Sequence, residues 1–242
     1  TRIINNVVDI TNYILYDIGQ PLHAFDRDKL FGTISVRKAN NNEKVMTLDS
    51  QERKLTNEDL IITDDDKPIA LAGVMGGLET EVTESTVNLL IESAYFDKVS
   101  IMKTSRKLSL ISDASIRFER GIDFNIQEYG LEQFLMLLKD NQDIKYSELS
   151  VDKKNNIKNK KVILKKDEIK NLLGINLKDS FVKKTLKYLM IDSEIKDKTI
   201  EFTAPSWRYD LDRSVDLIEE FAKHYGFNNF ESNLPQGLYK NE

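Results

Sequence analysis

The groups able to do chemistry in this chain are few. The sequence holds no cysteine and only two histidines, His23 and His224, so neither a thiolate metal site nor a paired-histidine zinc site can be assembled from it. Gly73, Gly76 and Gly77 are followed by Leu78 and Glu79 rather than by Lys and Ser or Thr, which leaves no loop of the kind that cradles ATP phosphates. With no Gly-x-Ser-x-Gly elbow either, a hydrolase built on this chain works without a conventional triad. Carboxylates remain. Asp216, Glu219 and Glu220 stand three and four residues apart and share one helix face, with Asp210 shortly before them. Four hard oxygen donors suit Mg2+, which takes carboxylates and retained waters. Acidic residues at the positive end of a helix dipole give the same pattern without a metal, so both readings stand.

The elements that position such groups can be read from periodicity. Val7, Ile10, Thr11, Ile14 and Ile18 recur at helical spacing behind a capping Asn6, with Gly19 and Pro21 as the stop. From Gly32 the texture is extended, with strands expected over residues 33–37, 45–48 and 60–63. Residues 68–75 and 87–91 are apolar runs of the buried-strand type, the second continuing through Glu92. Helices are expected over 96–107 and 126–138, with a loop over 111–114 between them. Residues 151–161 are almost all Lys, Asn and Asp, the texture of a solvated connection. Beyond it come a short strand over 162–164, helices over 167–173 and 180–190, a hairpin turning at Asp197 and Lys198, and a helix over 214–225 that places Val215, Ile218, Phe221, Ala222 and Tyr225 on one face. The expected class is α+β: a mixed-sheet domain over 1–152, a Lys/Asn-rich linker over 153–159, and a small helix–helix–hairpin–helix, winged-helix-like domain over 160–233.

Composition narrows the setting. The chain has 242 residues, 40% hydrophobic, enough for two domains with real cores. No apolar run approaches the roughly 20 residues that span a bilayer, and residues 1–20 lack a signal pattern. A cytoplasmic protein is expected, with no membrane partner. Lys and Arg total 35 against 40 Asp and Glu, for a net charge of −5. Any contact with nucleic acid is therefore local. Lys103, Arg106, Lys107, Arg117 and Arg120 form the most basic stretch, either as phosphate contacts or as partners in internal ion pairs.

Three local patterns are more specific. They are Asn12-Tyr13 followed by Gly19-Gln20-Pro21-Leu22-His23-Ala24-Phe25-Asp26, then Ala72-Gly73-Val74-Met75-Gly76-Gly77, then Asp113-Ala114-Ser115-Ile116-Arg117-Phe118-Glu119-Arg120-Gly121-Ile122-Asp123. In this order they resemble the editing domain of the bacterial phenylalanyl-tRNA synthetase beta subunit. Pro205-Ser206-Trp207-Arg208-Tyr209-Asp210, Asp216-Leu217-Ile218-Glu219-Glu220 and Tyr225-Gly226 resemble the segment after it in the same subunit.

The resemblance implies hydrolysis of tyrosyl-tRNA(Phe). An apolar synthetic pocket cannot strongly reject an isostere that only adds a hydroxyl, so a second site removes the product. In the family a glutamate reads the tyrosine hydroxyl, and Glu92 in Leu89-Leu90-Ile91-Glu92-Ser93-Ala94 matches it. Read from its own context, Glu92 is either a partly desolvated strand-end carboxylate or one that faces water. Arg2, Thr11, Asn12 and His23 fall where the family surrounds the aminoacyl ester and terminal adenosine. On its own, His23 reads equally as a hydrogen-bonded structural histidine. Gly76 matches a glycine that leaves room for the substrate, and Ser112 with Ala114 the loop that closes over it. Ser112 departs from the family's usual threonine, keeping the hydroxyl and losing the methyl.

The same resemblance implies a magnesium site at Asp210, Asp216, Glu219 and Glu220 shared with an alpha subunit. It also implies tRNA(Phe) as partner, an alpha2beta2 enzyme, and ATP used only by the full enzyme and not bound by this stretch. The acidic last helix would repel a phosphate backbone, so the small domain reads as scaffold. Two other readings compete: a non-catalytic tRNA-binding or assembly scaffold with a degenerate site, and a free-standing trans-editing hydrolase. A second domain built to meet a partner counts against the latter.

Overall fold

The computed structural model describes residues 3–140, 143–152, 157 and 159–231. The chain divides into two compact units, Thr1–Asn155 and Asn156–Glu242. Arg2, residues 153–156 and 158 of the expected linker, and residues 232 and 233 lie outside the described residues.

The first unit opens with α1 (Asn6–Asp17), capped by Asn5, whose side chain accepts from the Val8 amide. The cap sits one residue earlier than expected because a β-region Asn5 can reach the first free amides while Asn6 is already helical. Then follow β1 (Leu22–Asp26), β2 (Ile34–Lys38), β3 (Lys44–Met46), β4 (Glu52–Lys54), β5 (Leu60–Asp64), β6 (Lys67–Leu71), β7 (Met75–Gly76), β8 (Leu89–Ser93), α2 (Lys98–Leu108), α3 (Asp113–Arg120) and α4 (Gln127–Lys139). The class is α+β, as expected, but the described pairings are all antiparallel rather than mixed. β2, β5, β6 and β7 form one sheet in that order, β3 pairs with β4, and β1 pairs with β8 as a two-stranded ribbon.

Two differences from the sequence expectation shape the walls of the candidate site. The apolar run over 68–75 is not one strand but a tight hairpin from β6 to β7, turning at Gly73 with φ +67°. A β-carbon there would meet Phe96 and Phe118 ring carbons at 2.9 and 3.1 Å, so only glycine permits both the turn and the packing beneath it. The expected loop over 111–114 ends early: residues 113 and 114 already belong to α3, with Ser112 as its N-cap.

The ribbon is covered on both faces because its side chains alternate. Phe25 and Leu90 join the main core with Ile61, Leu71, Ile101 and Phe118. Leu22 and Ile91, on the other face, pack against Ile10 and Ile14 of α1 and Phe134 and Leu138 of α4.

The second unit runs β9 (Lys161–Lys165), α5 (Lys166–Leu173), α6 (Asp179–Tyr188), β10 (Asp192–Ile195), β11 (Thr199–Thr203) and α7 (Ser214–Tyr225). Its antiparallel sheet has the order β10-β11-β9. Leu164, Ile200, Phe202, Leu217, Ile218 and Phe221 form the core. Val215, expected on the inner face of α7, is exposed, and Leu217 takes that place. No helix among the described residues is long and apolar enough to cross a membrane.

Candidate functional site

The ribbon's register decides which groups meet. His23 of β1 lies directly opposite Glu92 of β8, so both side chains leave the same face with β-carbons about 4.5–5.5 Å apart. That is the core-facing side, shared with Phe25 and Leu90, and His23 stacks edge-on against Phe25 at 4.5 Å between ring centroids.

The pair looks onto the β6–β7 hairpin. A β-carbon at Gly76 would lie 2.3 Å from His23 Cε1 and 2.5 Å from Nε2. The space freed by glycine is thus occupied on one side by the imidazole. Leu48, whose amide donates to the Gly76 carbonyl at 3.1 Å, closes this side.

The third wall is α3. Ser112 Oγ accepts from the Ser115 amide at 3.0 Å and donates to the Val74 carbonyl at 2.6 Å, while Ser115 Oγ accepts from the Ser112 amide at 2.9 Å. The Ser112 hydroxyl is therefore both cap and strut, joining α3 to the hairpin that carries Gly76. Ala114 packs on the main core from the first turn of α3. Ser112→Ala should lower stability by ~1–2 kcal/mol through the lost cap and the orphaned carbonyl, read as a shift in urea midpoint. Ser112→Thr, which keeps the hydroxyl, should restore it.

α1, which covers the other face of the ribbon, reaches α3 at one point. The Tyr16 hydroxyl donates to Asp113 Oδ2 at 2.9 Å, which draws α1 to the start of α3. Asn12, one turn earlier on the same stripe and partly buried, shares the face that meets α3. Thr11 is buried and turns its hydroxyl back onto the Val8 carbonyl at 2.8 Å, so it serves the helix rather than the shared face. His23, Glu92 and Gly76 thus border one recess on the core-facing side of the ribbon, and Ser112 is tied to the hairpin that carries Gly76.

The electrostatics of the recess come from desolvation. Glu92 is partly accessible yet ringed by protein, and among the described residues it has no side-chain hydrogen bond or ion pair. Burial pushes its carboxyl up to about 7 and lowers the His23 imidazole to about 4. Each group is held toward its neutral form. Because the fold holds Glu92's proton above the ordinary 4.5, this residue withdraws stability as pH rises past 4.5, with the full effect above about 7. Glu92→Gln should then raise the melting temperature at pH 8 and leave it unchanged near pH 4; an equal gain at both would contradict the desolvated carboxyl.

Of the basic residues read as phosphate contacts, Lys107 is paired with the buried Asp59. Lys103, Arg106 and Arg120 are exposed.

In the second unit the four carboxylates read as a magnesium site are paired with cations of the same segment. Arg208 donates to both oxygens of Asp210, at 2.8 and 2.7 Å, and to Glu220 at 2.9 Å. Lys223 pairs with Glu219 at 2.8 Å and Glu220 at 3.2 Å. Arg213 pairs with Asp216 at 2.9 Å, and Asp216 also accepts the Arg213 backbone amide at 2.7 Å, at the start of α7. Among the described residues no group of three or more His, Cys, Asp or Glu side chains could hold a metal ion. Asp210, Asp216, Glu219 and Glu220 are shared out among three cations of the same segment, Arg208, Arg213 and Lys223. The Arg208 guanidinium holds the Asp210 carboxyl below the usual carboxylate range.

Comparison with known proteins meets this geometry from outside. The B3/4 domain family matches residues 1–143, and the tRNA synthetase B5 domain family matches residues 162–227. The phenylalanine–tRNA ligase beta subunit of Moorella thermoacetica is 42% identical over 245 residues, covering 100% of this chain and 30% of that protein. That of Gloeobacter violaceus is 41% identical over 236 residues, covering 97% of this chain and 30% of its own length. The chain spans about 30% of the length of these curated relatives. A crystal structure of an N-terminal fragment of the phenylalanyl-tRNA synthetase beta subunit from Pyrococcus horikoshii is a distant likeness, with TM-score 0.44 and 16% identity over 91% of this chain and 65% of that one.

Proposed function

The chain belongs to the B3/4 domain family, in the stretch shared with bacterial phenylalanine–tRNA ligase beta subunits, and on that premise we propose that its first unit hydrolyses tyrosyl-tRNA(Phe) made in error. The observation that carries this reading is Glu92, a carboxyl desolvated by the surrounding protein and lying opposite His23, with no ion pair or side-chain hydrogen bond among the described residues.

A phenol entering the recess meets a group titrating near neutrality that can accept its proton as carboxylate or donate to its oxygen as acid. A phenylalanine ring leaves that group unpaired, which costs roughly 1–3 kcal/mol. The neutral His23, held by Gly76 and Phe25, keeps a ring nitrogen for the ester or the terminal ribose. Aminoacyl esters are activated, so a positioned water and hydrogen bonds to the developing oxyanion supply the chemistry without a protein nucleophile. Asn12 and the α3 terminus border the place where that oxyanion forms. Arg2 belongs to the same surround by resemblance.

In the whole protein this activity supports phenylalanyl-tRNA synthesis in the cytoplasm, with tRNA(Phe) and an alpha subunit as partners and the second unit as scaffold. No step here uses a metal ion.

The test is to incubate the chain, and the intact enzyme that contains it, with tyrosyl-tRNA(Phe) and phenylalanyl-tRNA(Phe) and to compare deacylation rates. Faster release of tyrosine in the intact enzyme is the expected result. Equal rates there would favour a tRNA-binding scaffold instead.

A further inference from the structure

The open end of the ribbon carries a buried polar cluster that the proposed hydrolysis does not use. Gln20 is 0% exposed. Its Nε2 donates to the Pro21 carbonyl at 2.9 Å and the Ala94 carbonyl at 3.1 Å, and its Oε1 accepts from Gln127 Nε2 at 3.2 Å. Gln127 Nε2 also donates to the Asp123 carbonyl at 2.8 Å, and the Gln127 carbonyl accepts from Ser93 Oγ at 2.9 Å. One cluster therefore joins the exit of α1, the ends of β1 and β8, the approach to α4 and its first turn. A β-carbon at Gly130 would lie 3.0 Å from Gln20 Cγ, so α4 rests directly on the glutamine stem.

The placement gives this cluster a task. The last rung of the ribbon is Leu22 opposite Ser93, and the next is His23 opposite Glu92. A two-stranded ribbon is marginal by itself and frays from its ends, so the rung that carries both site residues is close to where fraying would start. Gln20 and Ala94 stand just past the last rung, and their hydrogen bond closes it. We propose that Gln20, with Gln127, is a positioning residue whose amide clamps the open end of the β1/β8 ribbon and so sets where the Glu92 carboxyl and the His23 ring sit in the recess. An apolar side chain of similar size would fill the space but take the Gln20 donor from the Ala94 carbonyl and leave the Gln127 amide only its bond to Asp123, a loss that a buried site feels strongly.

The kinetic side of this inference rests on the editing reading; the clamp itself does not. The experiment uses the intact synthetase carrying Gln20→Leu, with Gln127→Ala as a second variant should the first fail to fold. Hydrogen exchange followed by mass spectrometry should show faster exchange in peptides over residues 20–26 and 89–95, with peptides from α2 and β5 as protected as in the parent. The tyrosyl-over-phenylalanyl deacylation ratio should fall roughly tenfold, as a displaced reacting group implies, and its pH profile should move toward the ordinary carboxylate range. Gln127→Ala should act in the same direction to a smaller extent. A lowered melting temperature with the ratio, the profile and the exchange of 89–95 unchanged would mean a merely structural role and overturn the proposal. If Glu92→Ala leaves the ratio unaltered while Gln20→Leu still loosens the ribbon, the clamp stands and the editing reading falls.

Discussion

Glu92→Ala is expected to reduce the preference for tyrosyl over phenylalanyl ester by about 5- to 150-fold, the equivalent of roughly 1–3 kcal/mol of a buried hydrogen bond made to one substrate and not the other. The loss should fall on the tyrosyl rate, because phenylalanine has no hydroxyl to miss the carboxyl. Direct comparison of the two deacylation rates, in parent and variant of the intact enzyme, measures it. Glu92→Gln separates shape from charge. An amide of the same size both donates and accepts, so part of the preference should survive. The pH dependence that a carboxyl titrating near 7 lends to the parent should disappear. An unchanged ratio in Glu92→Ala would remove Glu92 from the role of selector, whatever the variant does to stability.

Gly76→Val should cut deacylation on the order of a hundredfold, because a side chain at this position cannot coexist with the present place of His23. Even the first carbon would lie 2.3 Å from the imidazole edge, closer than any real contact. The ring also rests edge-on against Phe25, so making room at Gly76 moves the imidazole from its place opposite Glu92. Overpacking of this kind also costs about 1–3 kcal/mol of stability. Activity is therefore to be read under conditions where both proteins are folded, with the melting curve as control. A companion pair isolates the cause. Gly76→Ala alone should be harmful in the same direction, whereas in a His23→Ala background its further effect should be small, since the clashing ring is gone. Full additivity of the two changes would show that the space at Gly76 matters for some reason other than His23.

Much of the secondary structure is legible in the sequence because it depends on near neighbours. The face of α7 follows from a period of 3.6 residues, and its stop at Gly226 from a left-handed φ of +91° that glycine allows. The hairpin of β10 and β11 follows from two extended runs around a polar turn. Local reasoning fails where two signals compete or where a partner lies far off. The start of α3 reads as part of a loop over 111–114 because the helix's core contribution is slight, with Ser115 and Phe118 its only buried residues, and because its capping box uses Ser115 where glutamate or glutamine is the recognisable signal. β1 carries no strand-like composition, and its extended form is decided by pairing with β8, distant in sequence.

The candidate site divides the same way. Residue types and spacing alone exclude thiolate, paired-histidine and phosphate-loop chemistry, and they put Glu92 at the end of an apolar strand. Its meeting with His23 depends on a register that one residue's slip would abolish, and its raised pKa depends on the protein packed around the recess; neither is written in the strand itself. Gln20 gives no sign of its role, since a glutamine beside Gly19 and Pro21 reads as part of a turn until Ala94 and Gln127 arrive. The carboxylates near α7 show the limit most plainly. Helical spacing determined that Asp216, Glu219 and Glu220 share a face, but the tertiary structure decided what that face meets. Arg208, brought back from the preceding loop, and Lys223, one turn on, pair with those carboxylates, because a charge is paired by whatever cation the fold delivers within reach.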